Sequence, residues 1–192
     1  SEMPESEFLR RGGLLHGIQL WVNLPQSDKM IAPSYQEFKS DKIPVAMSDD
    51  QKIKVKVLAG EAFSVKAVIK TRTPIIYLHA TLQPGANWVQ AVPQEYNVFA
   101  YILQGQGLFN KKPIRDVKLS EPHQMLIYDN DGEVVDVSVP NDLKEPLEVL
   151  LIGGVPLNEP IVRYGPFVMN TEEEIRQAFI DFHSGKMGTI KK

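Results

Sequence analysis

Cysteine is absent from the 192 residues. That excludes disulfides, thiolate metal sites and a cysteine nucleophile, and it fits a reducing compartment. Charge of one sign is also missing as a run. Lys and Arg number 21 and Asp and Glu 24, for a net charge of -3, so no direct nucleic-acid partner is expected. No apolar run approaches the roughly 20 residues of a membrane span, so no membrane partner is expected either. The first residues, Ser1 to Glu7, are acidic and lack a signal-peptide core. Ser1 is not an initiator Met, so the native start is expected to be processed or to lie upstream. There is no internal repeat and no low-complexity segment. What is plentiful is punctuation: 14 Pro and 13 Gly interrupt short apolar runs, the pattern of an all-β chain.

The stretch from Leu14 to Pro25 stands out. Leu14, His16, Ile18, Leu20 and Val22 share one face of an extended strand, and Leu15 and Trp21 lie on the other. Such a strand needs neighbours on both sides. Residues 25 to 51 are rich in Pro, Ser and Asp and predict a long ordered connection, with Tyr35, Phe38 and Ile43 spaced to pin it to a surface. Strands then follow one another. Ile53, Val55 and Val57 alternate with lysines, which suggests a solvated or edge strand. Phe63, Val65, Ala67 and Ile69 alternate again after a turn at Gly60-Glu61. Ile76, Leu78, Ala80 and Leu82 share a face, and Pro84-Gly85 turns the chain. Residues 96 to 103 are apolar on both faces and predict a central strand. Leu108-Phe109, Met125 to Tyr128, Val135 to Val139 and Leu147 to Ile152 complete about eight strands, with Asp129-Asn130-Asp131-Gly132 as a hairpin turn. This spacing points to a β-barrel or sandwich.

The tail changes period. Thr171 with Glu174 forms a capping box, three carboxylates fill the first turn, and Ile175, Ala178, Phe179 and Phe182 fall on one face. One amphipathic helix is expected, with Gly185 at its end. The four histidines, His16, His79, His123 and His183, form neither an H-x-H nor an H-x-x-x-H pair. Each therefore reads first as a structural or surface residue rather than a metal ligand. His79 could look into a barrel, and His183 suits a helix C-terminus. Composition leaves a Ser-His-Asp triad open, but no Ser sits in a G-x-S-x-G elbow. Neither Gly105-Gln106-Gly107 nor Gly153-Gly154 opens a phosphate-binding helix.

One long motif goes further. His16-Gly17-Ile18-Gln19-Leu20-Trp21-Val22-Asn23-Leu24-Pro25 resembles the signature of the pirin family. The likeness continues in Lys29 to Gln36, Gly60-Glu61-Ala62, Thr71 to Pro74 and Gly165 to Thr171, in the family's order. The resemblance implies a bicupin, each domain a double-stranded β-helix, or jelly-roll, barrel. On that reading residues 1–25 are the closing segment of the N-terminal cupin and 26–51 the interdomain connection. Residues 52–155 form the metal-free C-terminal cupin barrel. Residues 156–192 are a return segment and helix that packs on the N-terminal cupin.

The resemblance also implies iron, or another divalent metal, in the N-terminal barrel, held by an H-x-H pair and a His-x-Glu pair. Here the second pair survives only in Ser1-Glu2-Met3-Pro4. Glu2 matches the carboxylate ligand, and three His ligands are expected upstream of Ser1, so this chain alone could hold no metal. A fragment or truncated form is expected over a natural short homologue. In the C-terminal barrel, counting along the cupin motif from Gly85 puts Ala91 and Pro93 where a His pair should be. The family likeness implies a quercetin 2,3-dioxygenase-like activity in the intact protein, acting on a flavonol-like small molecule. Glu2 would be ligand and catalytic base, and the chain alone is expected to be inactive. The alternative is a metal- or redox-responsive regulator that binds a transcription factor or metabolic enzyme. The expected partners are the missing cupin segment and such a protein. The expected location is cytoplasmic, and nuclear as well in a eukaryote.

Overall fold

A computed structural model describes residues 6–109 and 118–188. The chain divides into two compact units. One runs from Ala32 to Pro156, and the other joins Ser1–Ile31 to Leu157–Lys192.

The larger unit is a β-sandwich of jelly-roll type. β1 (Val45–Met47), β2 (Ile53–Ala59) and the short hairpin β3 (Glu61–Ala62) and β4 (Val65–Lys66) come first. β5 (Ile75–Leu82), β6 (Asn87–Ala91), β7 (Asn97–Gln104) and β8 (Leu108–Phe109) follow, then β9 (Met125–Ile127), β10 (Val134–Ser138) and β11 (Leu147–Gly154). Six strands form one antiparallel sheet in the order β1-β2-β5-β11-β7-β9, and three form a second in the order β6-β10-β8. Strand alternation decides what each face does. In β5, Ile76, Leu78, Ala80 and Leu82 are buried and the intervening residues are half-exposed. Leu78 pairs with Val57 on one side and Leu151 on the other, and all three are essentially inaccessible. Trp88, Val135 and Val137 of the smaller sheet close the same core.

Local chemistry explains several of these elements. The lysines of β2 do mark a solvated face, but β2 is not an edge strand, because β1 covers its outer side. β1 lies within the Pro- and Asp-rich stretch read as a connection, and at three residues it is too short to show a period. Within that stretch Tyr35 is exposed, so it pins nothing, while Ile43 is half-buried. Of the alternating run from Phe63 to Ile69, only Val65 and Lys66 join a ladder. Asp129 to Gly132 does not close a hairpin. β9 pairs with β7, β10 pairs with β6 and β8, and none of the four residues has a positive φ. The turn instead carries the chain from one sheet to the other. Turn chemistry fixes where a chain reverses, not which strand it pairs with next.

The smaller unit contains α1 (Ser6–Arg11), the hairpin β12 (Val162–Tyr164) and β13 (Phe167–Met169), and α2 (Glu172–His183). The capping box is as read: Glu174 N donates to Thr171 Oγ1 at 3.2 Å, and Thr171 N donates to Glu174 Oε2 at 3.0 Å. A cap of this kind contributes about 1 kcal/mol. Ile175 and Ala178 are buried, Phe179 packs edge-on against Phe167 with centroids 4.9 Å apart, and Gly185 takes φ +77° just beyond the helix. The expected strand from Leu14 to Asn23 is not found. No strand lies between residues 12 and 25, Leu14 is 93% exposed and Trp21 73%. Apolar alternation marks faces that could be covered, but a strand also needs a ladder partner. Among the described residues none pairs with it.

Candidate functional site

Glu2, the metal ligand and base implied by the family likeness, lies outside the described residues. The described residues bring no three His, Asp or Glu side chains together as a metal site. His16 and His123 are exposed, and His183 Nδ1 lies 2.7 Å from the Phe179 carbonyl oxygen in the last turn of α2. His79 does not look into the barrel. It sits on the half-exposed face of β5, opposite to Leu78 and Ala80. Its Nε2 is 3.6 Å from a Glu148 carboxylate oxygen, and Lys56 pairs with it across the ladder. Burial holds the imidazole below its usual pKa; Glu148 opposes that shift and Lys56 reinforces it.

The mouth of the barrel decides whether the larger unit could hold a metal. Counting along the motif pointed to Ala91 and Pro93, but both are exposed. The inward residues are Trp88 and Gln90, followed by Val92, each less than a tenth exposed. The inward positions are thus one residue earlier than the count suggests. The carboxylate position of the same motif falls on Val98, which is buried. Beside Val92, Val98 and Val135 lies a cavity of about 30 Å³. Tyr128 borders it, and its sealed hydroxyl has no partner among the described residues. Burial pushes that phenol well above its usual pKa, so it stays protonated. Asp129 and Asp131 also line the cavity, but no imidazole does. The described residues gather no three His, Asp or Glu side chains there, so the nitrogen and carboxylate donor set that iron takes is not assembled. These residues do not fit a metal.

Gln90 serves a different purpose. Its amide nitrogen donates to the carbonyls of Glu61 at 3.2 Å and Ala91 at 3.0 Å. The β3–β4 hairpin is thereby tied to the barrel mouth. Beside it opens a cleft of about 670 Å³ whose walls include Phe63, Thr71, Ile76, Trp88, Gln90 and Tyr96.

The signature blocks of the sequence turn out to be architectural. In the smaller unit Lys29 Nζ donates to Asn23 Oδ1 at 2.6 Å and to the Val168 carbonyl at 3.2 Å, which joins three of the blocks. Glu159 Oε2 accepts from Gln26 N at 2.8 Å and from Asn170 Nδ2 at 3.0 Å. Glu174 is held below its usual pKa, first by the Asn170 backbone N–H and then by the Gln26 amide. In the larger unit the Gln36 amide pairs with both backbone groups of Lys70, at 2.7 and 2.9 Å, and so mimics a strand. Spacing alone could not show these contacts, since three of them, Lys29 to Val168, Gln26 to Glu159 and Gln26 to Glu174, join residues more than 130 positions apart.

A family model described as the pirin C-terminal cupin domain matches residues 77–188. The chain belongs to the pirin family. It is 44% identical over 188 residues to a pirin-like protein of Solanum lycopersicum, covering 98% of this chain and 60% of the relative. It is 42% identical over 188 residues to Pirin of Homo sapiens, covering 98% and 61%. The chain therefore spans about three-fifths of the length of these curated relatives. Among solved structures, quercetin 2,3-dioxygenase from Acinetobacter baumannii is similar with a TM-score of 0.77 and 32% identity, over 89% of this chain and 56% of that one. The family match begins within the larger unit, at residue 77, and runs on through residue 188 of the smaller one. Among the described residues of this pirin, no helix is long and apolar enough to cross a membrane.

Proposed function

We propose that this chain is the C-terminal cupin and tail of a pirin with quercetin 2,3-dioxygenase-like activity, in which iron or another divalent metal is held outside the C-terminal barrel. The observation that carries the reading is the likeness to the A. baumannii quercetin 2,3-dioxygenase across both units of this chain. The donor-poor mouth of the larger unit supports the second half of it. Glu2 supplies one ligand, by the family likeness, and His ligands come from a segment these residues do not include. The C-terminal barrel acts as scaffold, and no chemical step is assigned to it. The protein works in the cytoplasm, and also in the nucleus if its source is eukaryotic.

A second reading rests on the exposed apolar run at Leu14, Ile18, Trp21 and Val22. Such a run suits a protein contact and fits a regulator that binds a transcription factor or metabolic enzyme in response to metal or redox state.

Turnover separates the two. Quercetin loss and O2 uptake are measured for the 192-residue chain with Fe(II), and for the same chain preceded by a segment supplying an H-x-H pair and a His immediately before Ser1. The 192-residue chain should show little activity and the extended chain should turn over. Glu2→Gln in the extended chain should lower its rate by about 100-fold or more. No turnover by the extended chain overturns the enzymatic reading; robust turnover by the 192 residues alone, or an unaffected Glu2→Gln variant, overturns the placement of the metal and the role of Glu2. Stoichiometric, metal-dependent protein binding by an extended chain that leaves quercetin intact favours the regulator.

A further inference from the structure

We propose that the mouth of the C-terminal barrel binds a small, neutral, planar molecule carrying hydroxyl or amide groups. The inference does not depend on the proposed activity, and three observations carry it.

The first is the cleft itself. At about 670 Å³ it falls within the size range of small-molecule sites. It is closed on one side by the β3–β4 hairpin and on the other by β6.

The second is a pair of polar groups left open on one inward face. Both hydrogen bonds of the Gln90 side chain are made by its nitrogen, so Oε1 has no partner among the described residues. Two residues earlier, the Trp88 indole N–H has no partner among the described residues either. Trp88 is 1% exposed and Gln90 8%. Neither of these open atoms is sealed in the core, and both residues line the cleft. Both open onto the cleft, where water is their alternative partner, and a ligand that supplies both hydrogen bonds in its place gains modestly from each. Trp88 asks for an acceptor and Gln90 Oε1 for a donor; a hydroxyl or an amide provides either.

The third is strain at the lip. Phe63 and Ser64 form the two-residue turn between β3 and β4, with φ of +46° and +63°. Asn and Gly take such positions readily, and a bulky residue there is an outlier. The turn is held by the Gln90 bond to Glu61 O, and it places an aromatic ring on the cleft wall. Strained backbone of this sort gathers at ligand clamps.

Charge narrows the ligand. Among the lining residues Glu61 alone is charged. Its nearest cation, Lys66, lies 3.9 Å away on a side chain that is 80% exposed. An anion would face the carboxylate with no cation on the wall to balance it. Phe63 and Tyr96 offer flat apolar surface, which suits an aromatic ring.

Calorimetric titration of the 192-residue chain with naphthalene-2,3-diol, and separately with 3-hydroxy-2-naphthoate, tests the proposal. The diol should bind saturably at one site, with the naphthoate at least about tenfold weaker. Trp88→Phe, which keeps a packed ring but removes the N–H, should weaken the diol about tenfold, and Gln90→Met by a similar factor. Glu61→Gln should narrow the gap between diol and naphthoate. Thermal melts check folding, and Trp88→Phe decides if Gln90→Met does not fold. The proposal is overturned if the diol shows no saturable binding up to about 1 mM, the weak end of useful affinity. Unchanged binding in a folded Trp88→Phe variant, or naphthoate binding as tight as the diol's, also overturns it.

Discussion

Gly105→Ala should destabilise the C-terminal barrel by about 3 kcal/mol or more and lower its melting temperature by roughly 6–12 °C. Gly105 ends β7 with φ +75°, a left-handed conformation that costs a residue with a Cβ about 1–2 kcal/mol. The site also has no room. A Cβ would press on the Pro146 carbonyl oxygen and lie 2.9 Å from Leu147 Cα. Both are backbone atoms at the start of β11, the strand that holds β5 and β7 together, so neither can move without shifting the sheet. Overpacking of that kind adds about 1–3 kcal/mol. Gly132→Ala is the control. Its φ is not left-handed, nothing lies within 4 Å of a Cβ there, and its effect should stay within about 0.5 kcal/mol. Equal melting temperatures for the two variants would refute the role given to Gly105.

Leu78→Ala should cost about 3–4 kcal/mol, and Leu14→Ala less than about 0.5. Both leucines stand in apolar, alternating stretches. Leu78 is 0% exposed in the middle of the six-stranded sheet, and no loop or chain end can collapse into the space its side chain would leave. Leu14 is 93% exposed, so truncating it removes little contact. Denaturant unfolding of the two variants measures the difference. A comparable loss from Leu14→Ala would mean that the opening stretch is buried after all.

The contrast between these leucines shows how far the sequence could be read. The capping box at Thr171 and Glu174 was legible because its partners lie three residues apart and the helix period is strong. β5, β10 and β11 were legible because β-branched and aliphatic residues alternate or run on without interruption. β6 was passed over. Its inward residues are Trp88 and Gln90, a large ring and a polar amide, and these do not read as an apolar stripe. Counting along the cupin motif from Gly85 lands on Ala91 and Pro93, one residue away from the inward Gln90 and Val92, because a count of residues does not fix which way a strand residue faces. Asp129 to Gly132 has the composition of a hairpin, yet its flanking strands belong to different sheets. In a jelly roll, pairing is decided by distant strands, and turn residues hold no information about them. The blocks that named the family had the plainest signal, and their work is to tie loops together through Asn23, Lys29, Gln36 and Asn170.

The cleft at Trp88 and Gln90 was not visible in the sequence for a related reason. Its parts come from β3, β5 and β6 and from the loops after β4 and β6, and none of them forms a motif alone. Polar atoms left open on a cleft wall can only be seen once the strands are placed.

Iron bound per 192-residue chain is the measurement that tests most directly whether the described barrel is a metal-free pirin cupin. The chain is loaded with Fe(II), freed of loosely held metal by dialysis, and assayed for iron. Expected is a content far below one iron per chain, because Gln90, Val92, Val98 and Tyr128, with only the carboxylates Asp129 and Asp131 beside them, bring no imidazole to the barrel mouth. One tightly held iron per chain would contradict it.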